Sequence, residues 1–170
     1  MDNFCEQIVK KNRSGGDTAK YVIIIVLMVL VIGVCIFFAL QGLYILLMLA
    51  FSAGWGGVWL LKGISVEYEY IITNNEMDID KITGRRKRTR MITVDLSKAE
   101  DFYTFSEQNE KFDTTVYASS GLETDAYCLI VLHSDYGKVR IIFNPDERTR
   151  EAIVQEFPFT LRTRMNNDAK

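Results

Sequence analysis

The sequence predicts a membrane α-helical hairpin joined to an α+β domain, whose bent antiparallel sheet is closed by a C-terminal helix. Three observations carry that expectation. Residues 21–61 run for 41 positions without Asp, Glu, Lys or Arg, bracketed by Lys20 and Lys62. Residues 63–143 hold about seven short stretches in which apolar and polar positions alternate. An amphipathic segment, opened by Asn144-Pro145 and closed by Pro158, follows the last of them.

A single helix of 41 residues would be about 62 Å long, against a hydrocarbon core of about 30 Å, so the stretch is two passes rather than one. Gln41-Gly42 is the natural break, giving helices at 21–40 and 43–61. The first carries fifteen Val, Ile, Leu or Phe residues, whose insertion free energies sum to at most about −5 to −9 kcal/mol. The second carries nine and is interrupted by "FSAGWGGVW". Its small residues Ala50 and Gly54, and Ala53 and Gly57, lie four apart. That spacing admits a closely packed neighbour, either the first helix or a second copy of the chain. Tyr21, Trp55 and Trp59 suit an interfacial aromatic belt.

Lys10, Lys11, Arg13 and Lys20 precede the hairpin, Lys62 follows it, and its tip has no charge. The positive-inside rule then puts both termini in the cytoplasm of a multi-pass cell-membrane protein. The apolar stretch is too long for a cleaved leader, and no small-x-small site follows a short apolar region. Cys5, Cys35 and Cys128 fall in three separate regions, which suits neither a disulfide framework nor a metal site.

Residues 1–20 read as a cytoplasmic N-terminal segment, 63–160 as one cytoplasmic domain and 161–170 as a tail. In "NFCEQIVKK", Phe4, Ile8 and Val9 share a side of a short amphipathic helix, with disorder as the alternative. The domain opens with "ISVEYEYII" (64–72), turns at Asn74-Asn75 and returns as "EMDIDKI" (76–82). A basic run leads into "MITV" (91–94), and weaker strands at 99–105 and 114–118 flank the polar loop "SEQNEKFD" (106–113). "AYCLIVLH" (126–133) and "KVRIIF" (138–143) form a hairpin around "DYG". Asn144 reads as the N-cap of the final helix, with Pro145 at its first position and Glu147 completing a capping box.

"EYEYIITNNEMDID", a Gly-initiated basic strand, and a last strand running into "FNPDE" and a helix resemble a bacterial pleckstrin-homology (PH)-like domain. The whole chain resembles small membrane proteins of Gram-positive bacteria that place such a domain after a two-helix hairpin. The resemblance implies seven strands in two packed sheets capped by a helix. It also implies a binding role, toward proteins or lipid headgroups, without assigning any ligand residue.

"GRRKRTR" (84–90) contributes Arg85, Arg86, Lys87, Arg88 and Arg90. The first strand leaves the membrane exit and the second returns, so this run is expected back at the bilayer, as candidate contacts for anionic lipid. Arg86, Arg88 and Arg90 share strand parity with the core positions Ile92 and Val94. Buried unpaired arginines are too costly, so either residues 83–88 protrude as a hairpin tip or a bulge lies near Thr89. Residues 63–170 hold 15 Lys and Arg against 19 Asp and Glu, an acidic balance that argues against nucleic acid.

No Gly-rich phosphate loop, His/Cys cluster or nucleophile–base pair is visible, so no catalytic, cofactor or metal residues are expected. His133, the only histidine, reads as structural. The expected function is a non-enzymatic membrane-anchored module for protein recruitment or anionic-lipid-facing scaffolding at the inner face of the membrane. Its partners would be the bilayer, and a protein or a second copy of the chain. The alternative is an accessory subunit of a membrane complex, acting through Ala50, Ala53, Gly54 and Gly57.

Overall fold

The N-terminal segment is a strand, not an amphipathic helix. Phe4–Lys10 (β1) pairs antiparallel with Val66–Thr73 (β2), in a register that sets Cys5 against Ile72, Gln7 against Tyr70 and Lys10 against Glu67. Cys5 is buried on the inner face with Tyr70 and Ile72, while Phe4 and Ile8 point outward and are exposed. The inward Gln7 explains the misreading, because a polar residue at a core-facing position hides the two-residue alternation of a strand. Its side chain is used: Nε2 donates to the Asn144 carbonyl at 3.1 Å and Oε1 accepts from Asp146 N at 3.0 Å.

The computed structural model describes residues 4–105, 112–121 and 125–168. The polar loop read at 106–113 lies mostly outside them. The remaining strands are Glu76–Thr83 (β3), Lys87–Asp95 (β4), Ala99–Thr104 (β5), Thr114–Ala118 (β6), Tyr127–His133 (β7) and Gly137–Phe143 (β8). The helices are Gly15–Leu40 (α1), Leu46–Gly63 (α2), Glu147–Gln155 (α3) and Phe159–Asp168 (α4). Eight strands are thus described where about seven were expected, the extra one being β1. They form two four-stranded sheets, ordered β1-β2-β3-β4 and β5-β7-β8-β6.

One pairing departs from the all-antiparallel expectation: β6 lies parallel to β8. Ala118 and Tyr127 both oppose Phe143, from opposite sides. The chain therefore leaves β6 and enters β7 at the same end of the sheet, on opposite sides of β8.

Contacts cluster the chain into two units. One contains β1, β3 and β4 apart from the turn between them, β2 from Glu67, and every later element. Its core lies between the sheets, where Tyr70 of the first meets Phe143 of the second edge-on, with ring centroids 5.4 Å apart. Tyr70 is fully buried; its hydroxyl donates to the Ala118 carbonyl and accepts from Asn144 N at 3.3 Å. Burial holds that phenol well above its ordinary pKa. Phe102 meets Phe157 at 5.4 Å, so the segment after α3 also closes onto the core. The N-cap of α3 is Asp146, not Asn144, and its side chain accepts from Thr149 N at 2.7 Å. Asn144 is already committed elsewhere, its Oδ1 accepting from Ser120 N at 2.7 Å. The expected tail at 161–170 is helical as far as Asp168, with Leu161 buried.

The second unit is Arg13–Val66 with the turn Thr83–Arg86. Helix α1 begins six residues before the expected 21, and α2 runs from Leu46 to Gly63 rather than 43–61. Both are long and apolar enough to cross a membrane, by length and composition. They pack antiparallel across a five-residue turn, and α1 buries only Cys35 and Ala39, α2 only Ala50 and Gly57. Gly57 is where they approach most closely: a Cβ there would collide with Met28 Sδ and lie 2.9 Å from Met28 Cγ. At Gly54 the nearest atom, Ile32 Cδ1, would be at an ordinary 3.7 Å. We expect Gly57→Leu to lower the thermal stability of the protein in detergent, by about 1–3 kcal/mol for an overpacked contact. Gly54→Ala should leave the melting curve unchanged.

Candidate functional site

Strands β3 and β4 turn through Gly84 and Arg85, both at positive φ (62° and 57°), with Arg86 N donating to Thr83 O at 3.1 Å. Two successive left-handed residues give the turn the twist a hairpin needs. Glycine is required at 84 for a second reason. A Cβ would lie 3.1 Å from both Gly63 Cα and the Lys62 carbonyl, and Gly84 N donates to Ser65 O at 2.7 Å.

The five basic residues have different neighbours. Arg86 belongs to the helical unit. Its guanidinium lies 4.6 Å from the ring centre of Trp59, and Nη2 donates to the Trp59 carbonyl at 2.9 Å. Arg85 and Lys87 are exposed beside it in sequence.

Arg88 and Arg90 instead face carboxylates of their own sheet. Arg88 Nη2 sits 2.7 Å from Glu69 Oε1 and 2.6 Å from Oε2, with its Nε 3.9 Å from Asp80 Oδ2. Arg90 pairs with Asp80, and its Nη1 lies 2.6 Å from Asp78 Oδ1. Thr93 Oγ1 donates to the same Asp78 oxygen at 2.6 Å. Arg90 and Thr93 thus reach one carboxylate although three residues apart, so the strand's alternation shifts by one residue between them. That shift keeps both arginines off the face that buries Ile92 and Val94.

The electrostatics of this cluster are asymmetric. The Glu69 side chain is 1 % exposed while that of Arg88 is 56 % exposed. Burial pushes the Glu69 carboxyl above its ordinary range, opposed by Arg88 and reinforced by the hydrogen bond its protonated form donates to Glu6 and by the charges of Glu6 and Asp80. A carboxyl whose pKa is raised on folding stabilises the protein most below its unfolded value, about 4.3, and loses that contribution as pH rises through the folded value. Glu69→Gln imitates the protonated form. We expect it to match or exceed the native stability at pH 8 and to flatten the decline between acid and neutral pH, measured by urea titration. Asp95 has the opposite sign: a hydrogen bond from Ser97 holds its carboxyl below the usual range, so its contribution fades as pH falls.

The candidate packing residues of α2 face its partner helix. Ala50 and Gly57 are buried, Ala53 is half-buried, and Gly54 looks onto Ile32 of α1. Gly56, by contrast, meets nothing within 4 Å, and Ser52 is exposed. His133 is part of a surface turn, its Nδ1 accepting from Asp135 N at 3.0 Å and its ring 4.8 Å from Tyr136. Arg13 was not among the candidates, yet its guanidinium lies 4.3 Å from the ring centre of Tyr21. Its position eight residues before an aromatic at the head of an apolar run was the available signal.

Two four-stranded sheets enclosing one core, with helices at the C-terminal end and an apolar helical pair inserted in the chain, define a PH-like domain carrying a two-helix hairpin. The chain belongs to the bacterial PH-like domain family DUF6106, whose model matches residues 1–163. The matched residues include β1 and both apolar helices. No curated protein and no solved structure matches the chain. PH-like domains are generally binding or scaffolding modules rather than catalysts.

Proposed function

We propose that the protein is a non-enzymatic PH-like module, anchored in the cell membrane by α1 and α2, that recruits a protein partner at the anionic inner face. One observation carries the reading: the hairpin interrupts a sheet between two strands that pair with each other. Lys10 opposes Glu67, so the segments entering and leaving the helices start from neighbouring positions on one sheet. A pair of helices crossing a bilayer twice returns the chain to the side it left, as this pairing requires. The basic flanks support the cytoplasm as that side.

The alternative, a complex subunit working through Ala50, Ala53, Gly54 and Gly57, is less well supported, because three of these pack on or look toward α1. Photo-crosslinkers in native membranes separate the two readings. Capture of a protein from the exposed Tyr117 and Leu132 of the domain, and not from Ser52 or Gly56, is the expected result. Capture from the helix positions alone would favour the complex subunit.

A further inference from the structure

Five cations, Arg13, Lys20, Lys62, Arg85 and Arg86, stand against one carboxylate, Asp17, in the helical unit. All lie before Tyr21 or after Leu61, and the antiparallel packing of α1 on α2 brings those chain segments to one end of the pair. The opposite end, Gln41–Ile45, has no charge. Two of the cations are held against aromatic rings at that basic end: Arg13 over Tyr21 at 4.3 Å and Arg86 over Trp59 at 4.6 Å. Tyrosine and tryptophan settle at headgroup depth, with the ring at the edge of the hydrocarbon. A guanidinium over such a ring engages it through its face, while its N–H donors radiate in its own plane; in Arg86 one Nη2 donor is taken by the Trp59 carbonyl, and the donors that remain suit phosphate oxygens.

We infer that Arg13–Tyr21 and Arg86–Trp59 form a collar that binds the phosphodiester headgroup of an anionic phospholipid. Arg88 and Arg90 take no part in it. The inference rests on the membrane-anchored reading and divides the basic run in two. The cations at the helical end meet lipid, whereas Arg88 and Arg90 pair with Glu69, Asp78 and Asp80 within the sheet. Charge complementarity selects the occupant, since a net positive ring at headgroup depth favours anionic over zwitterionic lipid.

The test uses the full chain in nanodiscs of equal phosphatidylglycerol and phosphatidylcholine, with retained lipids counted by native mass spectrometry. Wild type is expected to retain phosphatidylglycerol preferentially. The Arg13→Gln/Arg86→Gln double variant should lose about fivefold of that preference per arginine. Both positions are exposed, so the fold tolerates the change. Arg88→Gln/Arg90→Gln should keep the preference while lowering the melting temperature. Retained preference in the first variant, or its loss in the second, overturns the inference. So does displacement of the lipid by excess inorganic phosphate, which would mark a site for free anion. Incorporation into discs with equal retention of both lipids refutes the collar alone. Failure to incorporate refutes the membrane reading beneath it.

Discussion

Deleting residues 1–12 is expected to unfold the PH-like domain, so that a fragment beginning at residue 63 shows no cooperative transition. That deletion removes β1, uncovers the inner face of β2 at Tyr70 and Ile72, and takes away Gln7, which holds Asn144 and Asp146 at the start of α3. It also removes the contact of Cys5 Sγ with Thr149 Oγ1 at 3.6 Å. A domain of this size has about 5–15 kcal/mol of stability in total, and losing a whole strand, with the buried Cys5, the half-buried Gln7 and Val9 and the backbone pairing to β2, consumes most of it. The converse construction should fold. Since Lys10 opposes Glu67, replacing residues 13–65 by a glycine-rich turn of about four residues spans the gap easily. The shortened chain is expected to be soluble and to melt in a single transition by circular dichroism, whereas the 63–170 fragment is not.

Charge reversal at Arg88 is the second large effect, and it acts on stability before it touches any ligand. Arg88→Glu leaves Glu69 and Asp80, both buried, without that cation and adds a third negative charge beside them. Breaking a buried ion pair costs about 3–5 kcal/mol, and the half-exposed position of Arg88 puts this case near the low end, about 3 kcal/mol. Chemical denaturation should show the loss, and Glu69→Gln in the same chain should recover part of it, because the buried charge is then gone. If Arg88→Glu melts like the wild type, the cluster is not holding the sheet. Lost vesicle binding in an Arg88 variant therefore reports unfolding unless stability is measured beside it.

The elements with a strong local signal were legible. The helical hairpin was, because 41 uncharged residues leave few other solutions, and so were β2 and β3, whose polar and apolar residues alternate, and β7 and β8, apolar runs on either side of a turn. What escaped were features whose partners are distant in the chain. β1 lies more than fifty residues from β2 and carries an inward glutamine, so neither proximity nor pattern announced it. The same glutamine, with Ser120, moved the cap of α3 from Asn144 to Asp146. Gly15 and Gly16 carry no helix signal of their own, yet they open α1, where Asp17 suits the positive end of the helix dipole. The basic run was visible as charge, but its division was not. Glu69 and Asp80 sit at outward positions of their strands, and only the order β2-β3-β4 brings Arg88 and Arg90 over them.

The most direct test of the proposal is membrane topology by cysteine labelling in intact bacterial cells, with single cysteines placed in a background lacking the native three. Cysteine replaces Tyr44 in the exposed turn of the hairpin, Asn12 after β1, and Glu147 at the start of α3. A membrane-impermeant maleimide is expected to label position 44 from outside, and positions 12 and 147 only after the membrane is opened. Labelling of 12 and 147 from opposite sides would contradict a hairpin inserted within one domain, and protection of 44 in intact cells would contradict its crossing the membrane.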